Sequence, residues 1–207
     1  PTPTRAPESF ITEAQNLETQ GKYSQAIESY KLAIEADARN PSSFLALARL
    51  QVYTNDLENA ETNARNALLL NPNSSAANAL LGYIMALKGD YLEAEAAFGR
   101  AISQDPNNAV AYAYQAEMYA LQSQSEAGTL NSLQNAIDSS RQAQQLDSSI
   151  METHRARGIV LELTQNYREA ASEFEAAVAI NPNIADLHLA LGRNYRALEL
   201  YDLAIEE

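Results

Sequence analysis

The sequence predicts an all-α protein, a solenoid of antiparallel helix–turn–helix units, and three observations carry the prediction. Ala26, Ala60 and Ala94 are spaced 34 residues apart, a step of 42 leads to Ala136, and steps of 34 then reach Ala170 and Ala204. A second column, Ala14, Ala48, Gly82, Ala116, Gly158 and Gly192, follows the same spacing and admits only small residues. Composition agrees: 37 of the 207 residues are Ala, while Gly and Pro together number 14. That balance favours helix over a turn-rich β architecture. A fixed period of this length is the signature of stacked supersecondary units.

The units follow in order. Residues 1–6 open Pro-Thr-Pro-Thr and read as an extended linker cut from something longer. The array spans 7–207, in units 7–40, 41–74, 75–108, 109–150, 151–184 and 185–207. In the second unit Asn40 is placed to cap a helix whose first position is Pro41, where a missing N–H costs nothing. That helix runs to about Tyr53, and after a turn at Thr54-Asn55 a second helix starts behind Asp56 and ends near Leu70. The third unit repeats the pattern, with Gly89-Asp90 in the turn and Glu93 placed to complete a capping box. Asn166 and Glu169 have the same spacing in the fifth. The fourth carries eight extra residues within 123–133, which lengthen the turn or either helix. The sixth stops partway along its second helix without a polar capping element, so the natural protein is expected to continue or to dock there.

Gly82, Gly89-Asp90-Tyr91, Ala94, Phe98, Ala101 and Pro106 carry one whole repeat pattern. With their counterparts in the other units they resemble the tetratricopeptide repeat (TPR) family. The resemblance covers roughly residues 7 to 207. It implies a right-handed superhelix whose first helices line a concave, ligand-holding groove.

Net charge and motifs narrow the function. A formal charge of −13 repels nucleic acid and anionic lipid. The longest apolar stretch, around 79–87, is about half a membrane span. Cysteine is absent, which removes thiolate chemistry. No nucleotide loop, zinc signature or nucleophile elbow occurs. His154 and His188 share a repeat column with Phe10, Phe44, Asn78 and Tyr112, a column that packs helix against helix. No enzyme, cofactor or metal site is expected.

The residues that the repeat does not explain point to a partner. Most of the eleven tyrosines fill turn or packing columns; Tyr53, Tyr83 and Tyr114 remain, on or beside the groove face of the first helices. Arg49, Arg155, Arg193 and Arg196 project to the same face. Tyrosine and arginine are common binding anchors, and arginine holds carboxylates through paired hydrogen bonds. The competing use of these tyrosines is to lean on the neighbouring repeat, and of the arginines to be neutralised by Glu152, Glu162 and Asp186 nearby or simply solvated. Arg157 stands where Leu47, Leu81 and Leu191 occur. TPR domains that grip chaperone tails use a Lys/Asn/Arg clamp, and the matching positions here hold Ile11, Gln15, Ala46, Ala76 and Leu80, none of which makes that contact. The expectation is a non-catalytic scaffold for a protein or peptide, with an acidic partner if the arginines act as anchors. Self-association, or service as the regulatory arm of a larger enzyme or membrane-anchored protein, is the alternative.

Overall fold

A computed structural model describes residues 5–126, 128–129 and 131–207; residues 1–4 of the expected linker, and Ala127 and Leu130 within the insertion, lie outside them. Twelve helices run through the described residues in antiparallel pairs. They are α1 (Pro7–Thr19) with α2 (Tyr23–Ala36), α3 (Pro41–Tyr53) with α4 (Leu57–Leu70), and α5 (Ser75–Leu87) with α6 (Tyr91–Gln104). Then come α7 (Ala109–Ser123) with α8 (Ser132–Leu146), α9 (Met151–Leu163) with α10 (Tyr167–Ile180), and α11 (Ala185–Ala197) with α12 (Tyr201–Glu206). Each second helix packs on the next unit's first helix, which builds the expected all-α superhelix.

Local chemistry explains where the helices start and stop. Asn40 and Asp56 cap α3 and α4 by accepting from the backbone N–H of Ser42 and Asn59. The turns inside the units share one device. Gly21, Asn55, Gly89, Gln165 and Glu199, one column of the repeat, all adopt positive φ between 57° and 82°. The next residue then donates its N–H back five positions, as from Asp90 to Met85 and from Asn166 to Leu161. This is the Schellman arrangement, which satisfies the last carbonyls of the first helix. It also consumes the N–H that a capping box would use. Both expected capping boxes are therefore corrected. Glu93 turns instead to Arg65 at 2.6 Å, and Asn166 makes no side-chain cap to its helix.

The insertion is shared out. α7 is two residues longer than the thirteen of α3 or α5, and α8 one longer than the fourteen of α4 or α6. The remaining five extend the connection, which loses the left-handed turn: Asn131, at that column, has φ −98°.

Volume matching holds the core together. The alanine columns are buried in the first five units. At two of the glycines of the small column the residue sixteen positions later is Phe: Gly82 meets Phe98, and Gly158 meets Phe174. A Cβ on Gly82 would lie 2.9 Å from the Phe98 ring, and one on Gly158 would lie 2.8 Å from Phe174. Where the column holds Ala48 or Ala116, the partner shrinks to Ala64 or Ser140. Gly82→Leu is expected to lower stability by about 1–3 kcal/mol through overpacking. For a chain of this size that is a fall of roughly 2–4 °C in Tm per kcal/mol. An unchanged Tm would contradict the register.

The array curls far enough for its first unit to meet its fifth. Tyr23 donates its hydroxyl to Asn181 at 3.4 Å, and Asn183 donates its amide to the Thr19 carbonyl at 3.4 Å. Gly21 lies so close to Asn183 that a Cβ there would be 2.6 Å from its side-chain oxygen. Tyr53 packs against apolar residues of both the first and the fifth units. The first helices therefore surround the concave face from several sides.

Candidate functional site

Repeat columns place the concave-face residues. One column reads Leu45, Ala79, Ala113, Arg155 and Leu189; another, one helical turn on, reads Arg49, Tyr83, Glu117, Ile159 and Arg193. Ala79 and Ala113 are fully buried and let α5, α7 and α9 come together directly. The larger side chains of the second column then interlock across those helices.

The centre of the face is a packed polar cluster. Tyr83 from α5 stacks on Tyr114 from α7, with ring centroids 4.3 Å apart and planes within 9°. Arg155 reaches in from α9, its guanidinium carbon 5.2 Å from the Tyr83 ring centroid and 5.8 Å from that of Tyr114. Its Nε donates to Glu117 Oε1 at 2.8 Å. All four residues are buried, none more than 8% exposed. Burial pushes the Glu117 carboxyl up from its ordinary value, against the pull of Arg155. Burial also opposes the Arg155 charge, but Glu117 and the tyrosines outweigh it and hold the guanidinium well above its usual pKa. Such a stack contributes about 0.5–1.5 kcal/mol beyond its buried area.

Three of the expected anchors, Tyr83, Tyr114 and Arg155, are thus brought together, but as a wall that ties three first helices to one another. The tyrosines lean on the neighbouring repeat. The remaining anchors are dispersed. Arg49 pairs with Glu18 at 2.8 Å, and Glu18 also accepts from Tyr30. Arg193 holds both oxygens of Glu162, at 3.1 and 3.3 Å. Arg196 makes no ion pair among the described residues and borders a separate hollow with His188 and Glu207. Tyr53 forms a tilted pair with Tyr23, 5.8 Å between centroids. Burial, and after it Glu152, push the Tyr53 hydroxyl up to about 12, so the phenol stays neutral. An acidic partner would therefore find Arg49, Arg155 and Arg193 already engaged.

Three cavities flank this wall. The first, about 270 Å³, lies between α3, α5, α7 and α9. Ala46, Ala76 and Leu80, which stand where a chaperone-tail clamp would need polar groups, are part of its lining. The second, about 220 Å³, opens between α5, α7, α9 and α11. Leu87, Leu121 and Leu189 border it and are each at least 37% exposed, with Ile159 and Ala190 among the other apolar lining. The third, about 430 Å³, lies where the first unit approaches the fifth and holds Tyr23, Tyr53, Glu18 and Glu152.

Sequence reasoning missed Glu117 as the counter-charge of Arg155; of the expected neutralisers, Glu162 holds Arg193, while Glu152 and Asp186 pair with no arginine among the described residues. Glu117 carried one signal, a carboxylate at the column position of Tyr83. Glu152 shares a column with Asp186, and both stand in the first turn of a first helix.

The histidines serve packing between helices. His154 Nδ1 meets Glu173 at 2.7 Å, and His188 Nδ1 pairs with Glu207 in the same geometry one unit on. Arg157, unexpected among leucines, lies 3.9 Å from the other oxygen of Glu173. Among the described residues no three His, Cys, Asp or Glu side chains converge to hold a metal. No helix of the described residues is long and apolar enough to cross a membrane.

Models of the tetratricopeptide repeat match residues 7–40, 45–109 and 154–207. Two curated proteins of Schizosaccharomyces pombe are similar in sequence. DnaJ homolog subfamily C member 7 homolog is 25% identical over 88% of this chain and 40% of its own length. Anaphase-promoting complex subunit 3 is 24% identical over 97% of this chain and 29% of its own. The chain thus spans less than half of either relative. Among solved structures, the thermophilic TPR protein TTC0263 of Thermus thermophilus superimposes with a TM-score of 0.73 at 20% identity. That match covers 93% of this chain and 99% of the other, and it shows the fold.

Proposed function

Because the chain belongs to the tetratricopeptide repeat family, we propose that it is a non-catalytic scaffold holding a segment of another protein in its concave groove. The observation that carries this reading is the second cavity. Leu87, Leu121 and Leu189 are large apolar side chains left in contact with water around an opening of about 220 Å³. Behind them the Tyr83–Tyr114–Arg155–Glu117 cluster fixes the wall before any partner arrives. A preorganised wall of this kind loses little conformational entropy on binding. The name of one relative, a subunit of the anaphase-promoting complex, supports a role in assembly.

The engaged arginines give an acidic segment no ready counter-charge on this wall, so the reading carries no acidic partner.

The test is capture from cells of the source organism by the parent chain and by a Leu121→Glu/Leu189→Glu variant. Both positions are exposed, so the variant is expected to keep the parent's helicity and Tm. A protein retained by the parent and lost by the variant is the expected result. Equal retention by both would contradict groove binding, and a mass that doubles with concentration would favour self-association.

A further inference from the structure

The concave face has a charge that its own fold does not balance. Arg49 is matched by Glu18, Arg155 by Glu117 and Arg193 by Glu162. Glu152 is left over. It belongs to the lining of both the first and the third cavities, about 270 and 430 Å³, and makes no ion pair or hydrogen bond among the described residues. Its neighbours in those linings are the phenols Tyr114 and Tyr53, and Arg49, which borders both cavities with its charge met by Glu18. Asp186, in the same repeat column one unit on, borders the apolar second cavity and is likewise unpaired among the described residues. The three ion pairs cancel and Arg196, unpaired among the described residues, borders the separate hollow beside His188, so within the three cavities these two carboxylates are uncompensated, in a chain of net charge −13.

A first-turn position explains why a carboxylate suits the start of α9, since the helix dipole favours negative charge there. It does not explain why Glu152 opens onto cavities beside two neutral aromatic rings. A carboxylate with the half-buried ring of Tyr53 nearby is a setting that an ammonium or guanidinium group prefers, by charge pairing first and by attraction to the ring quadrupole.

Resting on the groove reading above, we propose that the segment held there is basic and apolar. Its lysine or arginine head pairs with Glu152 beside Tyr53. A large apolar side chain of the same segment enters the cavity bordered by Leu87, Leu121 and Leu189. The two sites divide the work: apolar burial supplies most of the affinity, and the carboxylate selects against acidic or neutral segments, which would leave Glu152 uncompensated.

The experiment uses a synthetic library of dodecapeptides with one fixed Leu or Phe and with Lys, Arg, Gln, Asp and Glu equally frequent elsewhere. It is panned on the immobilised parent chain. The retained peptides are then measured against Glu152→Gln and Leu121→Glu/Leu189→Glu variants of parental Tm. The expected result is enrichment of Lys or Arg near the apolar residue, with affinity that weakens as salt rises. Glu152→Gln should weaken the retained peptides roughly tenfold, which is the scale of one well-placed charge pair. Retained peptides that are neutral or acidic, or that bind Glu152→Gln as well as the parent while Leu121→Glu/Leu189→Glu abolishes binding, would overturn the basic class and leave the groove reading standing. No enrichment on the parent, or binding indifferent to both variants, would overturn both.

Discussion

Phe98→Ala is expected to lower the stability of the chain by about 3–5 kcal/mol, the range for deleting a buried aromatic side chain. Phe98 is fully buried, and its ring occupies the space that the absent Cβ of Gly82 leaves open. Removing the ring opens a cavity between α5 and α6 that small neighbours cannot refill. The same geometry predicts coupling. Gly82→Ala alone forces a methyl to within 2.9 Å of the ring, whereas in the Phe98→Ala background the methyl enters empty space. The double variant should therefore be more stable than the sum of the two single losses predicts, and urea melts of the four proteins measure this directly. Strict additivity, or a Phe98→Ala loss below about 1 kcal/mol, would contradict the packing described.

Glu117→Leu is expected to destabilise by a comparable amount, about 3–5 kcal/mol, because it strands the buried Arg155 charge. Arg155 is 8% exposed and its Nη2 has no acceptor even in the parent, so the lost bond to Glu117 has no ready replacement. Replacing both partners, Glu117→Leu with Arg155→Met, removes the stranded charge and should restore most of the loss. Near-parental melts for Glu117→Leu alone would mean that the pair is reached by water and that the wall of the groove is not fixed. The prediction bears on function because this cluster joins α5, α7 and α9 across the concave face.

How far the sequence reached depends on which distances the repeat controls. Columns of Ala and small residues lie within a unit or between adjacent helices, where a constant spacing means a constant contact. The helix pairs, the Asn40 and Asp56 caps and the column of small residues were legible for that reason. The capping boxes were not. Whether Glu93 reaches back depends on the Asp90 N–H, and the left-handed residue at Gly89 had already directed it to Met85. Gln165 and Glu199 take the same positive φ without being glycine, so the shared turn, and not residue type, sets that conformation.

The concave face was half legible for a related reason. Periodicity put Tyr83, Tyr114 and Arg155 on one side of the array. Whether they meet one another or a partner depends on how far each unit rotates against the last, which no single column records. Arg155 finds its counter-charge 38 residues upstream, one unit back and one helical turn on. The meeting of the first unit with the fifth, through Tyr23 and Asn181, lies beyond nearest-neighbour reasoning altogether.

The central claim is that recognition takes place on the concave face. The most direct measurement is the amide hydrogen-exchange footprint of a retained basic–apolar peptide on the parent chain. Slowed exchange in α5, α7, α9 and α11, the helices that carry Leu87, Leu121, Glu152 and Leu189, is the predicted result. Slowed exchange confined to α12 and the outer faces of α4 and α6, with those helices unaffected, would contradict it.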